Sequence, residues 1–459
     1  MNFTSFIFIS FLILFFIFWP RTKKNNTVRL AYLVLASFVF YGWVDWRLIF
    51  FLIAVNLVSY LASKQLEKES PHRKAILIFG VIFNAGLLIF FRYKGILFSN
   101  AAGKFDIATL GVSFYTVQAV SYLFDVYQGR VAPANSLLVF FAYQSMFPKL
   151  TAGPIERAGK LLPQLEQIHT TTEQDRWEGT KLVAIGYFKK AVIADNLAYF
   201  VRNAFDNPAS DYTRSIYWWL IVTAFAFQLY YDFSGYSNIA RGLARWMGYE
   251  LSVNFDHPYI STSLSEFWTR WHITFSNWLR DYIFIPLSRT RRGRKTKHLN
   301  MWITLLFSGW WHGAGWTYIV WGALHALYTS IERWTGWHLR LKNKSWGRWL
   351  AMLLVNFQVW IAWVFFRANS LEQAGKILKA MFAPAPEWYS YMYTYINPTL
   401  LYLLILAAFP DFLLALNIKV EEAVPEKWRP VAEIVMVAFF LLTAVFLRGP
   451  EAEFVYFQF

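Results

Sequence analysis

The sequence predicts an all-α integral membrane protein of roughly ten or eleven transmembrane helices, with re-entrant segments. Three observations predict it. Only 16% of the 459 residues are charged and 57% are hydrophobic, whereas a soluble domain carries about 25% charged residues. Apolar segments recur from Phe3 to Leu447 with no long polar stretch between them, which reads as one membrane domain over residues 1–459. The chain also holds 23 Trp and 26 Tyr, residues that settle at the headgroup level and around polar cavities inside bundles.

The first apolar segment, Asn2 to Trp19, has no positive charge before it and Arg21, Lys23 and Lys24 after it. A secretory signal has the reverse polarity, so a retained first helix with its N-terminus outside is expected. Leu30 to Val44 and Leu48 to Ala62 follow, joined by a turn at Asp45 to Arg47, and Lys64, Lys68, Arg73 and Lys74 mark the next loop as inside. Ile76 to Phe91 crosses outward and Leu110 to Tyr127 returns. Leu137 to Leu150, Leu182 to Leu197 and Ile216 to Leu229 continue the series, the first of them broken by Pro148, Pro154 and Pro163 with Gly153 and Gly159. Arg289 to Lys297 is the most basic stretch and is expected in the cytosol as an orienting anchor, with capture of a donor's phosphates as the rival role. Between it and the basic residues Arg340, Lys342, Lys344 and Arg348 lies Leu299 to Ile331, interrupted by Gly309, Gly313 and Gly315. Basic flanks on both sides predict a bent or re-entrant hairpin. Leu350 to Phe366, Leu400 to Leu416 and Val431 to Leu447 then alternate out, in and out, which leaves Lys376, Lys379 and the C-terminus on the outer side.

Cysteine is absent, which excludes disulfides, thiolate nucleophiles and Cys-ligated metal. The net charge of +16 sits in short clusters between apolar segments, a pattern that orients a membrane protein rather than binding nucleic acid. No internal repeat is evident, which weighs against a transporter built from related halves.

Ionisable groups at membrane depth are costly and therefore informative. One cluster runs from Gln228 to Asn238, with Gln228, Asp232 and Gly235 on one helical face; an interhelical hydrogen-bond network explains it as well as a substrate site does. A second runs from Glu266 to Pro286, where Trp268, Trp271, Phe275, Trp278 and Tyr282 form an aromatic stripe at helical spacing, with His272, Arg280 and Asp281 among them. Taken alone it reads as a membrane-interface helix with a satisfied histidine. The third holds Gly309, Trp311, His312, Gly313 and Gly315, followed by Trp321 and His325. On an unbroken helix the two histidines would stand roughly 20 Å apart, and the glycines around His312 offer a break.

Trp311-His312-Gly313 in its Trp/Gly-rich setting, with Phe267-Trp268-Thr-Arg270-Trp271-His272 and Trp278-Leu-Arg280-Asp281-Tyr282 before it, resembles the membrane-bound O-acyltransferase family. The nearer likeness is to its bacterial alginate and peptidoglycan O-acetyltransferase branch. Asp232-Phe-Ser-Gly-Tyr, Gly111-Val-Ser-Phe-Tyr and Ala152-Gly-Pro-Ile extend the resemblance over almost the whole chain. It implies a ring of helices around a central tunnel, in a bacterial inner membrane, through which a cytosolic donor, acetyl-CoA, meets an acceptor on the far side. It also implies an extracytoplasmic SGNH-type transferase or esterase as partner. The family's invariant histidine falls on His312. Its second polar position, histidine in this branch and Asn or Asp in others, falls on His272. Trp311, Asp232, Arg280, Asp281 and His325 are expected around the substrate. The tail Phe454 to Phe459 resembles a Phe-x-Tyr-Phe motif whose tyrosine, here Tyr456, would carry the acyl group.

A neutral imidazole near pH 7 takes a proton from an attacking hydroxyl and returns one to the leaving group, so no metal or bound cofactor is required. A His-plus-carboxylate metal site is the rival chemistry, without tight ligand spacing to support it. Two other functions stand beside acetyl transfer: a transporter or channel for a small solute, and transfer of D-alanine instead of acetyl.

Overall fold

The computed structural model describes residues 1–97, 111–207, 215–342, 344, 346–383, 397–418 and 424–457. All regular structure among them is helical, and it divides into two compact units, residues 1–186 with 236–253 and residues 187–235 with 254–459.

The first unit contains α1 (Phe6–Phe18), α2 (Asn26–Gly42), α3 (Arg47–Glu67), α4 (Arg73–Leu97), α5 (Val112–Tyr127), α6 (Leu137–Ser145), α7 (Phe147–Leu150), α8 (Ala158–Glu166) and α9 (Glu173–Tyr187). Ser5, Asn25 and Ser136 cap α1, α2 and α6 by accepting the amides of Phe8, Val28 and Val139, which satisfies donors a helix start otherwise leaves open. Leu48, Leu52 and Val55 of α3 pack against Phe91 of α4 and Val112, Tyr115 and Ala119 of α5. Small polar groups join the same helices: Asn84 donates to Ser59 and Tyr122 to Ser63. α5 begins after Gly111, whose φ of 72° and close approach to the Leu150 carbonyl exclude a side chain. The Arg29 guanidinium lies between the Trp19 and Tyr249 rings and donates to the Met247 carbonyl at 2.6 Å, so this buried cation replaces its water with π faces and a backbone acceptor.

The second unit contains α10 (Asp195–Asp206), the N-terminal part of α11 (Ser215–Met247), α12 (Leu264–Arg270), α13 (Ile273–Leu279), α14 (Ile285–Arg289), α15 (Arg291–Lys295), α16 (Lys297–His312), α17 (Trp316–Thr335), α18 (Trp337–Lys342), α19 (Gly347–Arg367), α20 (Leu371–Met381), α21 (Pro398–Ala415) and α22 (Arg429–Phe446). Two π-helical turns interrupt it, Phe188–Ala194 before α10 and Arg280–Phe284 before α14. Its core is aromatic, built on Trp218, Phe225, Tyr230, Trp271, Trp321, Trp363 and Phe366.

Two elements differ from the sequence expectation and a third, the hairpin expected over Leu299 to Ile331, follows it. The span Ile216 to Leu229 is part of the 33-residue α11, because Asp232 and Ser234 are buried within the bundle and do not end the helix. The aromatic stripe from Glu266 to Pro286 is not one helix: it breaks at His272, and the helical run that follows carries a π turn at Arg280–Phe284. Leu299 to Ile331 forms an antiparallel hairpin, α16 and α17, turning at Gly313 to Gly315. Gly309 and Gly322 face each other where the two helices cross, and a Cβ on either would overlap the other helix's backbone.

Among the described residues five helices are long and apolar enough to cross a membrane: Arg47–Glu67, Arg73–Tyr93, Gly347–Arg367, Pro398–Ala415 and Glu426–Phe446. On α22 only Val437 is buried, while Ile434, Val435, Phe439, Leu442, Val445 and Phe446 are exposed. Water would not tolerate such a surface, so lipid covers it.

Candidate active site

The site is built in the second unit, around the turn at His272. The segment before it returns alongside α12: the Asp256 amide donates to the Arg270 carbonyl at 2.9 Å and the Ile273 amide to the Asn254 carbonyl at 2.9 Å. α12 is fixed at its start by Ser263, which accepts the Glu266 amide. The buried Glu332 of α17 accepts the Leu264 and Ser265 amides there at 2.7 and 3.3 Å. A carboxylate at a helix N-terminus satisfies orphan donors and opposes the positive end of the helix dipole. With both ends held, the chain passes through His272 in the left-handed region, φ 41°.

That conformation turns the His272 ring toward Asn254. Its Nδ1 lies 3.1 Å from Asn254 Oδ1, which also receives the Thr274 amide at 3.2 Å and the Thr274 hydroxyl at 2.9 Å. An amide oxygen accepting from Thr274 is an acceptor for His272 as well, so the proton sits on Nδ1 and Nε2 is the basic nitrogen.

His312 ends α16, where Gly313 stops the helix and leaves no room for a side chain beside the Tyr318 ring. Around the His312 imidazole stand Trp311 at 4.9 Å, Trp321 at 5.0 Å, Phe366 at 5.3 Å and Phe275 at 5.8 Å between ring centroids. Trp311 stacks on Phe275 at 4.1 Å and so ties α16 to α13.

Tyr456 joins the two histidines. Its ring centroid is 5.6 Å from that of His312 and 6.2 Å from that of His272, and Phe233 backs it at 4.5 Å. Phe454 and Val455, just before it, are buried. Gln458 and Phe459 of the expected tail lie outside the described residues.

Of the residues singled out from sequence, His272, His312, Trp311 and Tyr456 therefore meet at one place. His325 lies one ring away, since Trp321 stands 5.0 Å from His312 and 4.9 Å from His325. The hairpin removes the ~20 Å separation of an unbroken helix. His325 is fully buried against Trp268 as well, and neither of its ring nitrogens has a hydrogen-bond partner among the described residues. Asp232 touches the tail: its Oδ2 accepts the Val455 amide at 2.7 Å and its Oδ1 pairs with Lys190 at 2.8 Å. Arg280 and Asp281 pair with each other at 2.8 Å, with Arg280 largely exposed. Sequence reasoning missed Asn254, Lys190 and Asp195. A lysine inside the apolar run Leu182 to Leu197 was a signal for the last two, whereas Asn254, one of several polar residues in a connecting segment, offers none. Among the described residues no three His, Asp or Glu side chains gather as a metal-ligand set.

A sequence model of the membrane-bound O-acyltransferase family matches residues 32–373. Over 380 residues the chain is 36% identical to a probable alginate O-acetylase of Pseudomonas aeruginosa, covering 78% of this chain and 71% of that protein. It is 34% identical over 394 residues to a peptidoglycan O-acetyltransferase of Helicobacter pylori, covering 78% and 74%. With a teichoic acid D-alanyltransferase of Bacillus subtilis it shares 27% identity over 265 residues, 54% of this chain and 66% of that one. With a family model that matches residues 32–373 and a relative 36% identical over 78% of this chain, the chain belongs to the membrane-bound O-acyltransferase family and is a multi-pass membrane acyltransferase.

Proposed function

We propose that this enzyme takes an acetyl group from cytosolic acetyl-CoA and passes it across a bacterial inner membrane for O-acetylation of an exported polysaccharide or peptidoglycan. His312 is the general base and Tyr456 the covalent carrier. The observation that carries this reading is the Tyr456 ring between the His272 and His312 imidazoles. A phenolate buried among aromatic rings is costly, so the phenol loses its proton to His312 as its oxygen attacks the thioester carbonyl. The tetrahedral adduct collapses, the carbon–sulfur bond breaks, and the thiolate leaves with the proton from the imidazolium. His272, with its proton fixed on Nδ1, offers Nε2 as the second polar group at the reacting carbonyl.

Tyrosine suits a relay better than serine. Its phenol ionises near pH 10 against about 8.5 for a thiol, so an aryl ester keeps most of the transfer potential of the thioester. A sugar hydroxyl, or the serine of an SGNH-type partner, then attacks that ester, and the tyrosine recovers its proton. Trp311 and the edge-to-face pair Trp321–His325 wall the site, and membrane lipids cover the outer helix faces.

Incubation with labelled acetyl-CoA followed by peptide mass spectrometry is expected to find acetyl on Tyr456. His312→Ala should lower transfer at least about 100-fold while the protein extracts and melts as wild type. Tyr456→Phe, which keeps the ring and hence the packing, should end delivery to the glycan. Full glycan acetylation by Tyr456→Phe would remove the relay, and transfer by His312→Ala above one tenth of wild type would remove the general base. D-alanine instead of acetyl is read out by offering both activated donors.

A further inference from the structure

The segment leading to Tyr456 is held by polar contacts. Asn196 Nδ2 donates to the Leu447 carbonyl at 3.0 Å, and the Gly449 amide donates to the Ala191 carbonyl at 2.9 Å. That second contact depends on the π turn: the Asp195 amide bonds to the Lys190 carbonyl, five residues back, which leaves the Ala191 carbonyl for Gly449. Gly449 lies so close that a Cβ there would stand 2.5 Å from the Asn196 nitrogen.

Beside it, the buried Lys190 ammonium donates to Asp195 Oδ1 at 2.7 Å and to the Ala452 carbonyl at 3.0 Å, and forms an ion pair with Asp232 Oδ1 at 2.8 Å. The other Asp232 oxygen accepts the Val455 amide at 2.7 Å, one residue before Tyr456. Lys190, Asp195 and Asp232 are each at most 4% exposed, where charge-assisted hydrogen bonds are strong and directional. The rings around Tyr456 exclude water but set no register, because aromatic packing tolerates sliding more readily than an ion pair does.

We propose that Lys190, Asp195 and Asp232 form an ionic latch that fixes the register of residues 449–455 and so sets Tyr456 against His272 and His312. They are positioning residues. The inference rests on Tyr456 as the carrier, since register governs transfer only then.

The chain has no cysteine, so Val455→Cys supplies a unique buried reporter thiol. Lys190→Met in that background should raise maleimide labelling about tenfold or more, because exposure now follows local release of the segment. With the native Val455, Lys190→Met should lower Tyr456 acetylation about tenfold and leave the KM for acetyl-CoA within about twofold of wild type. Gly449→Ala displaces the same segment without stripping a buried charge and should give the same two results, which separates the latch from misfolding. Unchanged labelling in both variants overturns the latch. Raised labelling with unchanged Tyr456 acetylation overturns the positioning role. Should Tyr456→Phe still deliver acetyl, the carrier reading fails, and the labelling measurement alone decides whether the latch exists.

Discussion

Gly322→Ala tests whether the α16–α17 crossing sets the catalytic geometry. A Cβ at residue 322 would stand 2.5 Å from the Leu305 carbonyl oxygen, where ordinary contact begins at 3.4 Å. The obstacle is helix backbone, so the hairpin must open by about 1 Å, and interiors packed at crystal-like density transmit such strain instead of absorbing it. Leu305 lies two turns before His312 on α16, and Trp321, next to the substitution, lies 5.0 Å from His312. A displacement of about 1 Å at the reacting groups costs on the order of 100-fold in rate. Stability should change far less, because overpacking by about 1–3 kcal/mol is offset by about 1 kcal/mol of helix propensity gained over glycine. Gly375→Ala on α20 is the control, since nothing lies within 4 Å of its added Cβ. Acetyl transfer and thermal unfolding of both variants in one nanodisc preparation give the comparison. A Gly322→Ala enzyme within twofold of wild-type rate, with a melting temperature matching Gly375→Ala, would refute the reasoning.

Three further outcomes are expected. Asn254→Ala removes the acceptor that orients His272 and should slow transfer about tenfold at unchanged acetyl-CoA KM, while Asn254→Asp, which keeps an acceptor oxygen, retains more of the rate; steady-state kinetics of the pair check it. Neutralising Arg291, Arg292 and Arg294 together should mix the topology of the flanking helices, read by reporter fusions on either side; fixed topology with a raised donor KM would assign the run to phosphate binding instead. Hydrogen bonds from the Thr172 hydroxyl and amide, with the Arg245 guanidinium at 3.0 Å, hold the Asp175 carboxyl below its ordinary range. Its contribution is therefore present above an unfolded pKa of about 3.9 and fades as pH falls through the depressed folded value. The gap in melting temperature between wild type and Asp175→Asn should hold above about pH 5 and close in acid.

The membrane class and the three polar clusters were legible because composition and the cost of buried charge are properties of sequence. The gathering of His272, His312 and Tyr456 was legible only through resemblance, since no periodicity links residues so far apart in the chain. The break at His272 was hidden: Trp268, Trp271, Phe275 and Trp278 keep helical spacing straight across it, and no Gly or Pro marks it. The turn is made by bonds accepted by Asn254 and by Glu332 at the start of α12, partners distant in sequence. The end of α11 was misjudged because Asp232, Ser234, Ser237 and Asn238 dilute the hydropathy. Asp232 stays helical because Lys190 and the tail amide satisfy its carboxylate.

The left-handed backbone at His272 restricts which residues can occupy that position at all. Most side chains meet a steric penalty at positive φ, and Asn, Asp and His are the non-glycine residues enriched there. The resemblance implies that this position is His in one branch of the family and Asn or Asp in others, which is the same short set. The backbone turn therefore accounts for the permitted alphabet independently of catalysis, and chemistry chooses within it. Asn is the substitution that separates the two roles: His272→Asn removes the basic nitrogen and leaves the fold of the turn unchallenged, whereas His272→Leu removes both at once.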